Sequence, residues 1–70
     1  MRKHEYKIVD EAKDLLIEQG GYSECRDTFI QLQDERRFKG YAWDVQQDTA
    51  TLREMHTGEV IQVLKIKDVK

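Results

Sequence analysis

The chain offers few residues that could carry catalytic chemistry. His4, Cys25 and His56 belong to the residue types that act as nucleophiles, bases or metal ligands, but they are far apart and lie in no recognisable motif. Cys25 is better explained as a small packed residue, and His56 as a solvated turn residue. Asp34-Glu35 could form an acid pair, but adjacent carboxylates at a turn are usually just solvated. The sequence therefore predicts a protein that is not an enzyme, with no catalytic residues, no metal site and no cofactor.

A second group of residues has the chemistry of a binding surface. Arg37, Lys39, Tyr41 and Trp43 alternate along the chain, so their side chains share one face if this stretch is a strand. Aromatic rings interleaved with cations can stack on bases and bind phosphates, as in proteins that bind single strands. Tyr, Trp and Arg are also enriched at protein interfaces. A third interpretation places Tyr41 and Trp43 in the core, beneath a helix.

Size and composition restrict the class of protein. The 70 residues suffice for a single domain, which at this size buries only about 60% of its unfolded surface. A single cysteine cannot form an internal disulfide, so we expect a homo-oligomer to supply further stabilisation. The net charge of −2 and pI of 5.6 argue against a duplex-DNA binder. No apolar run approaches the roughly 18 residues of a membrane span or forms a signal peptide, and we expect a cytoplasmic protein.

The first third of the chain has the apolar period of a helix. Apolar residues recur along one side of residues 5–19, opposite a charged side, and Lys7 and Glu11 are spaced to pair across one turn. Gly20-Gly21 would end this helix, since glycine accepts the left-handed conformation of a helix cap. The pattern predicts an amphipathic helix over about 5–19 that packs on a sheet.

The next stretch, residues 22–33, is compatible with two structures. As a helix it would be capped by Ser23 and would place Cys25, Phe29, Leu32 and Arg36 on one face. As a strand, Thr28–Gln33 has the β-branched and aromatic residues that strands prefer. We favour the strand, because the residues that follow it predict a β-meander over about 27–69.

The rest of the chain alternates in the manner of strands separated by turns. Residues 36–45 predict a strand with Phe38, Gly40 and Ala42 on its buried face and a bulge near Trp43. Three further features complete the meander: a turn at 46–48, a strand at 49–54, and a hairpin at 57–58 that leads into a last strand over 60–67. Apolar residues on both faces of this last strand predict that both faces are covered, the second by the helix or another subunit.

Two segments resemble known families of small barrels. Leu32-x-Asp34-x-Arg36-x-Phe38-x-Gly40-x-Ala42 resembles the first signature of the Sm and Sm-like proteins, in which an apolar strand and a turn precede a bent strand. Leu64-x-Ile66-x-Asp68-Val69 is similar to the closing strand of other SH3-like families, among them the Rof-type inhibitors of the termination factor Rho and the YolD-like proteins. The stretch 45–49 lacks the Asp and Asn pattern with which Sm-like proteins bind a base.

Together these features predict a mainly β protein with one helix (α+β). An N-terminal α-helix would precede a four- or five-stranded antiparallel small barrel of the SH3-like or Sm-like type. The predicted function is a non-catalytic protein-interaction or regulatory module that is homo-oligomeric and binds a protein partner through Arg37, Lys39, Tyr41 and Trp43. The alternative is an Sm-like protein that binds single-stranded RNA through the same residues. Neither function involves a membrane.

Overall fold

The structure, a computed structural model, describes residues 5–69, so His4 lies outside the described residues. These residues form one five-stranded antiparallel sheet with a single helix against one face. The sheet order is β2-β1-β5-β4-β3, which leaves β2 and β3 as the two edges. The elements are β1 (Tyr6–Asp10), β2 (Leu15–Gly20), α1 (Tyr22–Glu35), β3 (Tyr41–Gln46), β4 (Thr49–Glu54) and β5 (Val60–Asp68).

The predicted N-terminal helix over 5–19 is wrong, because this region is the β1–β2 hairpin. Its turn at residues 11–14 places Asp14 in the left-handed conformation, with φ 55°. Glu11 does not pair with Lys7 across a helical turn; it forms ion pairs with Lys67 and Lys65 on β5, at 2.7 and 3.6 Å. Short apolar runs fit either period locally, and here pairing of β1 on both sides, with β2 and β5, determines the outcome.

The strand interpretation of Thr28–Gln33 is also wrong, and the helical alternative is correct. The helix α1 starts after Gly21 rather than at Ser23, and the Gly21 amide donates a 2.9 Å hydrogen bond to the Glu24 carboxylate. Gly20-Gly21 therefore joins β2 to α1 instead of ending a helix. The face predicted for the helical alternative is observed, since its apolar members pack on the sheet: Cys25, Phe29 and Leu32.

The second half of the chain contains the strands that the sequence predicts. The turn at 47–48, the β4 strand and the β4–β5 hairpin lie where expected, and β5 is nine residues long. The strand that begins at residue 36 in the prediction begins only at Tyr41. The bulge predicted near Trp43 is absent from the β3–β4 pairing, and the register shift lies instead between β4 and β5, at Leu52/Arg53.

The core lies between α1 and one face of the sheet. Phe29 is its largest buried side chain, and it packs with residues from β1, β4 and β5; the cluster comprises Ile8, Cys25, Phe29, Ala50, Leu64 and Ile66. The sheet does not close, so the predicted small barrel is an open sheet in the described residues. The opposite face of β5 carries Ile61 and Val63, which are only partly buried.

A candidate binding groove beside the edge strand β3

The helix covers only part of the sheet. It packs mainly on β1, β2 and β5, whereas β3 lies at the far edge beyond β4. Within β3 the direction of the side chains is set by the pairing of Trp43 with Leu52 and of Val45 with Ala50, which are buried residues facing α1. Tyr41, Trp43 and Val45 therefore face the helix side of the sheet without a helix directly above them.

An open depression of about 370 Å³ lies between the end of α1 and the helix side of β3. We call it the β3 groove, and its lining residues are Gln33, Arg37, Phe38, Tyr41, Ala42, Trp43 and Val45. Three of its apolar side chains are well exposed: Phe38 at 53%, Val45 at 45% and Tyr41 at 37%. Ile30, exposed at 46%, lies three residues before Gln33 and so extends the same flank of the helix. The groove therefore combines exposed aromatic and aliphatic side chains with the polar side chains of Gln33 and Arg37.

Two rings shape the mouth of this groove. Phe38 and Tyr41 meet edge to face, with ring centroids 6.0 Å apart. A turn at Gly40 lies between these two residues, and the Gly40 φ of +89° is a conformation that strongly favours glycine. The Tyr41 amide also donates a 3.1 Å hydrogen bond to the Phe38 carbonyl. The aromatic pair is thus held by backbone contacts rather than by the strand alone.

Arg36 connects the floor of the groove to the helix and to β5. The Trp43 indole Nε1 donates a 3.2 Å hydrogen bond to the Arg36 carbonyl at the end of α1. The Arg36 guanidinium donates a 2.9 Å hydrogen bond to the side-chain oxygen of Gln62, which is 4% exposed on β5. Since a buried polar group needs a partner, this contact fixes the position of the C-terminal end of α1 on the sheet. The orientation of Trp43 depends on it.

The opposite end of α1 fixes the β3–β4 turn. Tyr22 donates a 2.7 Å hydrogen bond to the Asp48 carboxylate, and Arg26 donates to the Gln47 carbonyl at 3.1 Å. The same guanidinium lies 3.5 Å from Asp48. The hydrogen bond to Asp48 raises the pKa of the Tyr22 phenol above its usual value, because ionised Tyr22 would lose this bond. The helix is therefore bonded to β3 at Trp43 and to the turn that follows this strand.

The outer edge of β3 exposes backbone hydrogen-bonding groups. The Met55 amide donates to the Gly40 carbonyl at 2.8 Å. The even-numbered residues of β3 therefore direct their backbone N–H and C=O groups toward β4. By the alternation of an antiparallel ladder, Trp43 and Val45 direct their N–H and C=O groups away from β4, toward the open edge. The β3–β4 pairing has no register shift, whereas the β2 edge is interrupted by a bulge opposite Ile8/Val9. β3 is thus the more regular edge.

The structure brings together three of the four residues proposed from the sequence. Arg37, Tyr41 and Trp43 line the β3 groove, while Lys39 lies in the turn before β3 and is not among the lining residues. Arg37 belongs to the segment after α1, not to a strand, and its guanidinium is 3.4 Å from Asp34. Trp43 is partly buried and packs against the core, so it is a core residue in part, although no helix lies directly above it.

Phe38 and Val45 also belong to this surface, although the sequence did not predict them there. Phe38 and Ala42 were expected on the buried face, whereas Phe38 is exposed before β3 and Ala42 lies with Asp44 on the side of the sheet away from α1. The alternation Tyr41-x-Trp43-x-Val45 was a signal that could have revealed the apolar stripe. This alternation does not by itself show which side of the strand a helix covers, and the position of the helix was predicted wrongly.

The groups considered for catalysis do not form a site within residues 5–69. Cys25 is fully buried, and burial raises the pKa of its thiol. His56 is exposed in the β4–β5 connection. No cluster of His, Cys, Asp and Glu in this part of the chain has the arrangement of a metal site. Among the same residues, no helix combines the length and apolar character that crossing a bilayer requires.

Comparison with protein-family models, with curated proteins and with solved structures finds no match to this chain. The described fold is a small five-stranded antiparallel β-domain. The stretch that resembles the first Sm-like signature does not span two strands here. Leu32 and Asp34 lie in α1, Phe38 lies in the connection after it, and Ala42 lies in β3.

Proposed function

We propose that this protein is a non-catalytic interaction module that binds an extended segment of a partner protein along β3. The observation that carries the proposal is the coincidence of a regular strand edge at the end of the sheet with a groove on the same strand that carries exposed apolar side chains. Binding by strand addition uses these two features together, since main-chain hydrogen bonds supply affinity and pockets for alternate side chains supply specificity.

The features of β3 differ from those of a protected edge. Proteins commonly protect edge strands with lysines, prolines or bulges. β3 contains none of these: its sequence is Tyr-Ala-Trp-Asp-Val-Gln, and its pairing with β4 is continuous. Phe38 and Tyr41 add exposed aromatic surface at the mouth, and aromatic side chains are enriched at protein interfaces. These properties favour a surface that is covered when a partner binds.

A proline substitution tests strand addition directly. Val45→Pro removes an amide that points to the open edge and leaves the bonds to β4, so the fold should persist. Val45→Thr is the matched control, because it keeps the amide and the branched shape. Peptides selected from a random display library on the wild-type protein should bind the Thr variant and lose binding to the Pro variant. Equal binding to the folded Pro variant would refute strand addition.

Single-stranded RNA is the alternative ligand, and the same surface contains cationic and aromatic residues that favour it. Arg37 and Lys39 lie close in sequence to the aromatic pair of Phe38 and Tyr41, and bases stack on such rings. Titration with an oligouridine at low and high salt distinguishes the two functions. Binding that weakens as salt rises, and that is lost when Arg37 and Lys39 are both changed to Gln, would favour RNA as the ligand. If, in addition, no selected peptide binds, the proposal of a protein partner is refuted.

We also propose that self-association uses the opposite edge of the sheet. Leu15, Leu16 and Ile17 on β2 are consecutive and exposed at 54%, 59% and 36%. The one charged side chain of β2, Glu18, accepts a 2.7 Å hydrogen bond from Thr28 of α1, which holds this carboxylate on the helix side of the sheet. Leu16→Lys should convert a dimer into a monomer in sedimentation velocity, whereas the control Val60→Lys should not. A wild-type monomer at high concentration would exclude this contact.

A further inference from the structure

We propose that the β3 edge selects an antiparallel partner segment with the pattern apolar–basic–apolar, whose basic residue lies opposite Asp44. This inference rests on the proposed function and names the chemistry of the partner. It follows from three properties of the β3 edge: the direction of its free backbone groups, the faces of its side chains, and the charge of its central residue.

The free backbone groups determine the register of an added strand. Trp43 and Val45 direct N–H and C=O groups outward, so partner residues opposite them form hydrogen-bonded pairs. The partner residue opposite Asp44 then forms a non-hydrogen-bonded pair. Side chains approach each other most closely in pairs of this kind, with Cβ atoms about 4.5–5.5 Å apart. Among the partner residues, the one opposite Asp44 therefore has the strongest electrostatic interaction with β3.

The two faces of the sheet require different side chains. Partner residues opposite Trp43 and Val45 project to the helix side, over the β3 groove and beside its apolar side chains. The partner residue opposite Asp44 projects to the other face of the sheet, where Asp44 is exposed and Thr51 is its neighbour on β4. Asp44 forms no ion pair or hydrogen bond with another side chain in the described part of the chain. A lysine or arginine at this position of the partner could therefore form an ion pair with the Asp44 carboxylate.

The same residue disfavours a second copy as the occupant. An antiparallel pairing of two β3 strands that uses the outward groups of Trp43 and Val45 in both copies places Asp44 directly opposite Asp44 of the other copy. Like charges directly opposite each other on antiparallel strands are destabilising. A segment with a basic residue instead of Asp44 removes this repulsion. The β3 edge is thus suited to a different protein, and β2 remains the edge for self-association.

Matched peptides test the assignment. The probes are two short acetylated and amidated peptides, Thr-Thr-Val-Lys-Val-Thr-Thr and the same sequence with Glu instead of Lys, and the signal is Trp43 fluorescence at physiological ionic strength. We expect the Lys peptide to bind about 3- to 10-fold more tightly, in line with the effect of charge on cross-strand pairs. Asp44→Asn should remove the preference, and Asp44→Lys should reverse it.

The outcomes separate this inference from the proposed function. Equal binding of both peptides to the wild type, with loss of both in Val45→Pro, would overturn the charge assignment and leave strand addition standing. A preference for the Lys peptide that persists in Asp44→Asn would also overturn it. Binding of neither peptide at millimolar concentration would overturn the apolar–basic–apolar pattern, whereas library peptides that depend on the Val45 amide would still support strand addition.

Discussion

The contact between Arg36 and Gln62 provides the sharpest test of how the groove is held. Arg36→Met removes the guanidinium that donates to the Gln62 oxygen at 2.9 Å, and it leaves that oxygen in a side chain only 4% exposed. A hydrogen bond to a charged group contributes about 1.5–3 kcal/mol, and an unsatisfied buried group costs about 1–3 kcal/mol. Arg36 is itself half-buried, so we expect a loss of about 2 kcal/mol in the free energy of unfolding.

This loss is large for so small a domain. At roughly 0.05–0.15 kcal/mol per residue, the whole chain is stable by only about 4–10 kcal/mol. A loss of about 2 kcal/mol lowers Tm by roughly 8–16 °C at this size. Urea denaturation followed by far-ultraviolet circular dichroism measures the free energy. Trp43 fluorescence provides a local probe, since the indole is bonded to the Arg36 carbonyl.

A double-mutant cycle isolates the contact from its surroundings. Gln62→Leu should cost less than about 1 kcal/mol, because the Arg36 side chain that loses its partner can turn toward water. The double variant, with Met at 36 and Leu at 62, replaces both partners by apolar groups and should recover about 1–2 kcal/mol relative to the sum of the single losses. A loss below about 0.5 kcal/mol for Arg36→Met, or simple additivity in the cycle, would show that this contact does not hold α1 on the sheet.

Three further predictions concern the core and the hairpin turns. Phe29→Ala should cost about 3–5 kcal/mol, because it empties the centre of the core; a urea midpoint close to that of the wild type would contradict the packing described. Cys25 is buried and its thiol pKa is raised, so Ellman's reagent should react with it only after denaturation, and rapid reaction of the native protein would place it at the surface. The hydrogen bond from Lys67 lowers the pKa of Glu11 below 4.5. The contact between Glu11 and Lys67 therefore stabilises the fold above that pH, and its contribution is lost as the pH falls through the lower pKa of the folded state. Glu11→Gln should flatten the fall in Tm between about pH 5 and pH 3, and an unchanged slope would mean that Glu11 does not contribute.

The second half of the fold could be predicted from the sequence, whereas the first half could not. β4 and the turns on either side of it are local structures with clear turn residues, and they lie where expected. Residues 5–19 were predicted to form a helix because their apolar positions fit the helical period, but such short apolar runs also suit a hairpin. What decides between them is the pairing of β1 with β5, more than fifty residues away along the chain, as in Ile8 with Ile66. Local pattern contains no information about such a partner.

The error in the first half propagated to the candidate site. Residues 37, 39, 41 and 43 were expected to share one face of a strand. Because α1 extends to Glu35, the chain must leave the helix and turn at Gly40 before it can enter β3. Arg37 therefore reaches the groove from the helix end and Tyr41 from the strand, while Lys39 lies in the turn. The residue types led to the region of the β3 groove, but the order of secondary structure decided which of them meet.

The geometry of one helix on five strands explains why a groove exists at all. Strands lie about 4.8 Å apart, so the outer strands of a five-stranded sheet are roughly 19 Å from each other. A helix with its side chains is about 10–12 Å across and covers two or three strands. Here α1 covers β1, β2 and β5, and Phe29 reaches Ala50 on β4. The helix therefore leaves β3 uncovered, and Tyr41 and Val45 remain exposed there. A sequence optimised only for its own stability would place polar residues there, so the apolar stripe favours a surface kept for a partner.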